Sequence, residues 1–220
     1  MLFSDLHDIC LVAYKKNGSK ETLRAVQQWL HENERDPYLL TEAAHFKNEE
    51  NETPLHYLVS ARPPPQLVER LLLLAPGAAK VGARHGYLPL HNACRFRASL
   101  NVVQVLLEAY PDGAEKPCSL GSLPLHVACM YGASPKVIQL LLEAYPKAVE
   151  AQDNYGWLPL HCACTNGASP VVIRMLINAY PNAVEVQDND GLLPLHSAWG
   201  SKASMEIINI LLEACPMDSP

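Results

Sequence analysis

Apolar residues recur along the chain in two alternating patterns. In residues 123–158, Leu125, Ala128 and Cys129 fall at i, i+3 and i+4, one stripe of a short helix. Pro124 suits its first position, because its fixed φ is helical and its missing N–H would have no partner there. The segment Gly132-Ala133-Ser134-Pro135 interrupts the pattern. A second helix is expected from about Lys136 to Ala144. Its Val137, Ile138, Leu140, Leu141, Leu142 and Ala144 are apolar on nearly every side, as in a helix packed between neighbours. Pro146 is expected to end it, since the residue before a proline is pushed out of the α region. Asp153-Asn154-Tyr155-Gly156 is turn chemistry, with Gly156 free to take positive φ. Pro159 then starts the next helix.

This unit returns. Thr53-Pro54-Leu55-His56, Leu88-Pro89-Leu90-His91, Leu123-Pro124-Leu125-His126, Leu158-Pro159-Leu160-His161 and Leu193-Pro194-Leu195-His196 follow one another at a constant step of 35 residues. A fixed period in the range of roughly 20–50 residues signals stacked units, each unable to bury its apolar face alone. Alanine stands at 93, 128, 163 and 198, Leu-Leu pairs near 106–107, 141–142 and 211–212, and Asp-x-x-Gly turns at 153–156 and 188–191. Together these residues resemble the ankyrin repeat over about residues 47–216. The resemblance implies an all-α fold, an α-solenoid of stacked helix-turn-helix repeats with protruding loops or short hairpins. The period exceeds the family's usual length of about 33 residues. The threonine usual before Pro-Leu-His stands only at Thr53. Leucine at the other four N-caps offers no side-chain acceptor, a loss of about 1 kcal/mol per helix.

Residues 1–46 lack the phrase but echo the unit. Leu6-His7-Asp8-Ile9-Cys10 matches Leu125-His126-Val127-Ala128-Cys129, Lys16-Asn17-Gly18-Ser19 reads as a turn, and Glu21 to Trp29 repeats the second-helix pattern. The expected organisation is an N-terminal helical capping repeat and connection at 1–46, five repeats at 47–216 and a tail at 217–220. Asp36 to Asn51 reads as a long polar connection. Asn51 aligns with the glycines at 86, 121, 156 and 191 and is expected to share their positive φ.

Charge and cysteine usage narrow the function class. A net charge of −6 gives no basic footprint for nucleic acid or an anionic membrane. No apolar run is long enough for membrane insertion. The early acids Asp5 and Asp8, without a basic stretch before them, argue against a signal peptide. Seven cysteines suit a reducing compartment, cytoplasm or nucleus, better than a disulfide framework. Cys94, Cys129 and Cys164 share one column, with Cys10 as a fourth. Adjacent helices lie about 8–10 Å apart, beyond the roughly 7 Å a disulfide spans, so these thiols are expected to pack as free hydrophobes. Cys118, at the loop position of Asp153 and Asp188, is expected to be exposed and is the candidate reactive thiol.

His56, His91, His126, His161 and His196 could suggest a metal or catalytic series. One histidine per stacked unit does not converge on a pocket, however, and each is expected to bond nearby backbone at the helix start, as part of a structural signature with Pro54, Pro89, Pro124, Pro159 and Pro194. The spacing His161-Cys162-x-Cys164 is not that of a zinc finger. No nucleophile elbow, His-Glu-x-x-His, phosphate loop or dinucleotide fingerprint is present. No catalytic residue, metal or cofactor is expected, and the chain is not expected to be an enzyme.

Two columns vary while the frame does not. One reads Glu52, Tyr87, Ser122, Trp157, Leu192; the other reads Ala61, Phe96, Tyr131, Asn166, Ser201, flanked by Arg95, Arg97 and Met130. Surface scatter or packing between loops would explain them, but aromatic, Met and Arg enrichment is an interface signal. The resemblance places both columns on a concave side. The expected function is a protein-interaction module (adaptor, scaffold or inhibitor) that binds another protein through Tyr87, Trp157, Leu192, Arg95, Phe96, Arg97, Met130 and Tyr131. Rigid presentation would limit the ordering entropy lost on binding. The alternatives are a constitutive subunit of a larger assembly, and a redox or metal enzyme using Cys118 or His161 and Cys162.

Overall fold

The proline that opens each repeat phrase is the first residue of a helix in all five copies. These helices are α4 (Pro54–Ser60), α6 (Pro89–Arg95), α8 (Pro124–Met130), α10 (Pro159–Thr165) and α12 (Pro194–Gly200). The structure, a computed structural model, describes residues 4–215; Pro216 and the tail expected at 217–220 lie outside the described residues. Among the described residues there are thirteen α-helices and no strand. The all-α repeat architecture expected from the sequence is thus the one observed.

Each first helix ends in a left-handed residue followed by a backbone reversal. Gly132 takes φ +66° and Gly167 φ +60°. The next amide closes back onto the helix: Ala133 N–H donates to the Ala128 carbonyl at 2.9 Å, and Ala168 N–H to Ala163 at 3.0 Å. This is the Schellman pattern that satisfies carbonyls left open at a helix end. Ala93, Ala128, Ala163 and Ala198 are fully buried at this closure, which leaves no room for a larger side chain. A serine then opens the second helix of most units.

The chain divides into two compact units, Met1–Gly113 and Ala114–Pro220. In unit one, α1 (Ser4–Lys15) packs on α4, and α4 on α6; α5 (Pro65–Leu74) packs on α7 (Leu100–Ala109). The helix α2 (Lys20–Glu32) pairs with α1. Residues 36–51, expected as a connection, contain a further helix, α3 (Pro37–His45), which packs on α1, α4 and α5. Asp36 caps it by accepting the Leu39 N–H at 2.9 Å, and Pro37 supplies its first position. Leu40, Ala43 and Ala44 are its buried stripe.

The echo of the repeat in α1 is also displaced by about one turn. The closure that marks Ala128 recurs at Ala13, whose carbonyl accepts the Gly18 N–H at 2.8 Å. Counting from that bond, Tyr14 occupies the cysteine column and Cys10 the column of Leu125. Cys10 is therefore not a fourth member of the cysteine column, and His7 is not a repeat histidine. The apolar periodicity of a helix fits equally well one turn away, and only the closure fixes the register.

In unit two, α8 packs on α10 and α10 on α12, while α9 (Pro135–Ala144) packs on α11 (Pro170–Ala179) and α11 on α13 (Met205–Ala214). The second helices bury one face and not the whole circumference expected. In α9 the buried residues are Val137, Ile138 and Leu141, while Gln139 and Glu143 pair on the outside at 2.7 Å. Pro146 does not simply terminate α9 either: it opens a 3-10 turn, Pro146–Val149, that buries Ala148 and Val149. Pro76, Pro111 and Pro181 open equivalent turns.

Loop tips in unit two bond to one another. Asn154 N–H donates to the Leu120 carbonyl at 2.9 Å, and Asn189 N–H to Tyr155 at 3.0 Å. Their side-chain amides donate to the Ser119 and Asn154 carbonyls at 3.0 and 2.9 Å. In unit one, Arg84 N–H donates to the Glu50 carbonyl at 2.8 Å, and Asn51, at φ +60° as expected, donates from its side chain to Gly82. The loops are therefore held as rigidly as their backbone hydrogen bonds allow.

Candidate functional site

The five histidines stand at the start of each first helix and act on its N-cap. Nδ1 accepts the N–H of the residue three before it: from Thr53, Leu88, Leu123, Leu158 and Leu193 at 3.1, 3.2, 3.2, 3.1 and 2.9 Å. At Thr53 the hydroxyl also meets Nδ1 at 2.9 Å. The leucine N-caps thus keep one half of the capping arrangement, because the histidine satisfies the backbone whether or not the cap residue has an oxygen. With Nδ1 accepting, the proton is on Nε2. Nε2–H of His56 donates to the Tyr87 carbonyl at 3.1 Å. That of His126 donates to the Ala151 and Trp157 carbonyls, both at 3.0 Å, and that of His161 to Leu192 at 3.1 Å. Each of these three pins its helix to the loop of the following repeat.

Burial sets their protonation. It pushes His56 down to about 4, against the pull of its bond to the Tyr87 carbonyl. His126 and His161 are lowered for the same reason, opposed by Asp153 and by the Leu192 carbonyl bond respectively. Neutral imidazoles with both nitrogens committed to backbone are structural pins. Among the described residues no three of His, Cys, Asp and Glu are grouped as a metal would need.

The cysteines are free and, apart from half-buried Cys215, buried. Burial pushes the thiols of Cys94 and Cys164 up to about 12, and those of Cys10 and Cys162 up as well. Such thiols hold their protons and are poor nucleophiles. Cys118 is only 5 % exposed, contrary to the expectation of a surface thiol. It stands at the turn position of Asp153 and Asp188, and its backbone makes the turn through bonds with Ser122 and Gly121.

The variable columns divide between the units. In unit two, Leu192 is 43 % and Tyr131 37 % exposed. Met130 is half-buried, with its sulfur facing the Asn166 amide. Trp157 differs from the expected solvent-facing aromatic. It is half-buried, and its indole N–H donates to Asp188 Oδ2 at 3.1 Å. Asp188, itself buried, spends Oδ1 on the Asp190 and Leu192 amides at 2.9 and 2.8 Å. Trp157 is therefore part of the loop packing as well as its surface.

In unit one, Tyr87 is half-buried with its ring 5.4 Å from that of His91, and Arg95 and Arg97 are exposed. Phe96 is half-buried and belongs to an aromatic row absent from the sequence-based set. Its ring meets Tyr14 at 5.3 Å, Tyr14 meets Tyr57 at 5.9 Å, and Tyr57 meets His7 at 5.0 Å. Arg95 lies 5.6 Å from the Phe96 ring. The Tyr57 hydroxyl donates to Glu52 and is held above its ordinary range by burial and then by that bond. The sequence alone does not single out Tyr14, because the apolar stripe of α1 fits two registers a turn apart.

Residues 125–219 match the family model described as ankyrin repeats in three copies. The described fold is similar to the crystal structure of the ankyrin repeat domain of Bcl-3, a unique member of the IkappaB protein family. The identity is 26 %, the match covers 96 % of this chain and 87 % of that one, and the TM-score is 0.68. A search of curated protein sequences found no match.

Proposed function

The chain belongs to the ankyrin-repeat family, and from that premise we propose that it is a non-catalytic adaptor, scaffold or inhibitor that binds a partner protein through its loop tips and first-helix ends. Ankyrin repeats are generally protein-binding modules and typically non-catalytic. The observation that carries the proposal is the exposure of Tyr131 and Leu192 on a frame whose other repeated residues are committed to structure. Large apolar side chains held on hydrogen-bonded loops and short helices form a surface that loses little freedom on binding. Tyr87, Arg95, Phe96, Arg97, Met130 and Trp157 complete the proposed set. A reducing compartment, cytoplasm or nucleus, suits the seven free thiols. No helix of the described residues is long and apolar enough to cross a membrane.

Partner capture from native extract tests the proposal. Tyr131→Ala and Leu192→Ala should keep the melting temperature and lose most capture, because interface anchors cost about 2 kcal/mol or more when truncated and ordinary surface changes about 0.5 kcal/mol. Glu108→Ala, on the outer face of α7, should capture normally. Full capture by the first two variants refutes the proposal.

The subunit alternative draws on a different observation. Trp199, Met205 and Leu212 are 66, 70 and 49 % exposed on α12 and α13. Large apolar side chains left this exposed suit a surface that is permanently covered. It predicts that the isolated chain self-associates, whereas the module reading predicts a monodisperse species in size-exclusion chromatography.

A further inference from the structure

We infer that the C-terminal ends of the first helices in unit one form a docking surface for an acidic peptide segment of a partner protein. The inference rests on the protein-binding reading above and adds the partner's chemistry.

Five of the chain's 17 cations gather there: Lys15 at the end of α1, Lys16 just after it, Arg62 after α4, and Arg95 and Arg97 around the end of α6, all exposed. They are contiguous. The turn after α1 is pressed against the end of α4 so closely that a Cβ on Gly18 would stand 1.7 Å from the Ala61 carbonyl oxygen. Arg62 Nε–H donates to the Phe96 carbonyl at 3.2 Å, the rings of Phe96 and Tyr14 meet at 5.3 Å, and Arg95 lies 5.6 Å from the Phe96 ring. The chain as a whole carries −6, so this surface runs against the sign of the molecule. Several acids of unit one stand at other places in the chain: Glu49 and Glu50 at a loop tip, Glu32 and Glu34 toward and beyond the end of α2, Glu108 near the end of α7, while Glu52 accepts from the Tyr57 hydroxyl toward the far end of the aromatic row. Glu21, at the start of α2, has Lys20 beside it.

Backbone conformation gives a second, independent observation. Arg62 and Arg97 occupy the left-handed position that ends the first helix, at φ +53° and +54°. Unit two places Gly132 and Gly167 there, the residue that conformation favours, and Lys202, at φ +57°, in its last repeat. Arg62 and Arg97 thus hold a conformation that costs a non-glycine residue some stability, and in the two repeats of unit one both residues that do so at a first-helix end are exposed cations of this surface.

A short acidic segment with one apolar residue fits this surface. Its carboxylates would meet the arginine forks, and its apolar side chain the Tyr14–Phe96 pair. A nucleic acid fits less well, because its charge continues past the patch into the acidic remainder of the molecule.

The test is fluorescence anisotropy on the full chain with a fluorescein-labelled glutamate-rich peptide carrying one central phenylalanine. A counterpart with glutamine for glutamate is the control. The glutamate peptide should bind, should weaken as salt is raised, and should bind at least about tenfold tighter than its control. The double variant Arg62→Gly, Arg97→Gly should lose at least about fivefold in affinity while its melting temperature holds or rises. Arg95→Glu should lose as much. Three results overturn the inference: no preference for the glutamate peptide, a lowered melting temperature in the glycine double variant, or tighter arginine-dependent binding of single-stranded RNA than of the peptide. None of them bears on capture through Tyr131 and Leu192, so the two readings fail separately.

Discussion

Replacing His126 with alanine should cost far more than the same change at His196, although the two stand at equivalent places in the repeat. His126 is 1 % exposed. Its Nδ1 accepts the Leu123 N–H at 3.2 Å, and its Nε2–H serves the Ala151 and Trp157 carbonyls at 3.0 Å each. Each bond contributes about 1 kcal/mol net, and a buried donor left without a partner costs about 1–3 kcal/mol. Removing the ring also leaves a cavity that the flanking helices fill only in part. The sum is roughly 3–5 kcal/mol. His196 is exposed, with its Nδ1 on the Leu193 N–H at 2.9 Å, and water can replace it there, so His196→Ala should cost less than about 1 kcal/mol. In a chain of this length a kilocalorie moves the melting temperature by about 2–4 °C. Thermal melts followed by circular dichroism should therefore separate the variants by several degrees, and urea titration should give the same order. Equal losses, or a His126→Ala change within about 0.5 kcal/mol of neutral, would refute the role of the histidines as pins between repeats.

Acid should weaken the fold through the same residues. A histidine lowered to about 4 in the folded chain, as burial lowers His56, binds its proton more weakly there than in the unfolded chain at about 6.5. Its contribution is complete above about pH 6.5 and is lost as pH falls toward 4, a range worth roughly 3 kcal/mol. Melts across that range should show His56→Gln with the shallower pH dependence; an unchanged slope contradicts the assignment. Among the turn glycines, Gly156→Ala would put a Cβ 2.6 Å from the Asn189 nitrogen, whereas Gly191 has the same left-handed φ and nothing within 4 Å. Gly191→Ala should cost about 1–2 kcal/mol and Gly156→Ala clearly more, as read from melting temperatures. Alkylation of the native chain should be slow at Cys94, Cys118 and Cys164, and denatured chain without reductant should yield seven free thiols. Rapid native labelling of Cys118 would show that it is not buried.

The repeat was legible because proline, glycine and histidine carry local rules that do not depend on the neighbours. Pro124 must start a helix, Gly156 can take positive φ, and a histidine at every step of 35 residues cannot converge on a pocket. What was not legible depends on register or on space. In α1 the apolar stripe fits two alignments a turn apart, and only the Gly18–Ala13 hydrogen bond selects one. The helix α3 lacks a repeated motif, although Asp36-Pro37 is a start signal that was there to read. Trp157 looked like a surface aromatic because the partner of its indole, Asp188, lies 31 residues away. Arg62, Arg97 and Lys202 share a column with Gly132 and Gly167, and only the φ angles show that all five are left-handed.

Site-specific photo-crosslinking tests the binding surface most directly. The chain carrying benzoylphenylalanine in place of Tyr131, Leu192 or Glu108 would be irradiated in native extract and the adducts resolved by mass. The account predicts one protein partner crosslinked from positions 131 and 192 and not from 108. Adducts from 108 alone, or the same weak background from all three, would contradict it.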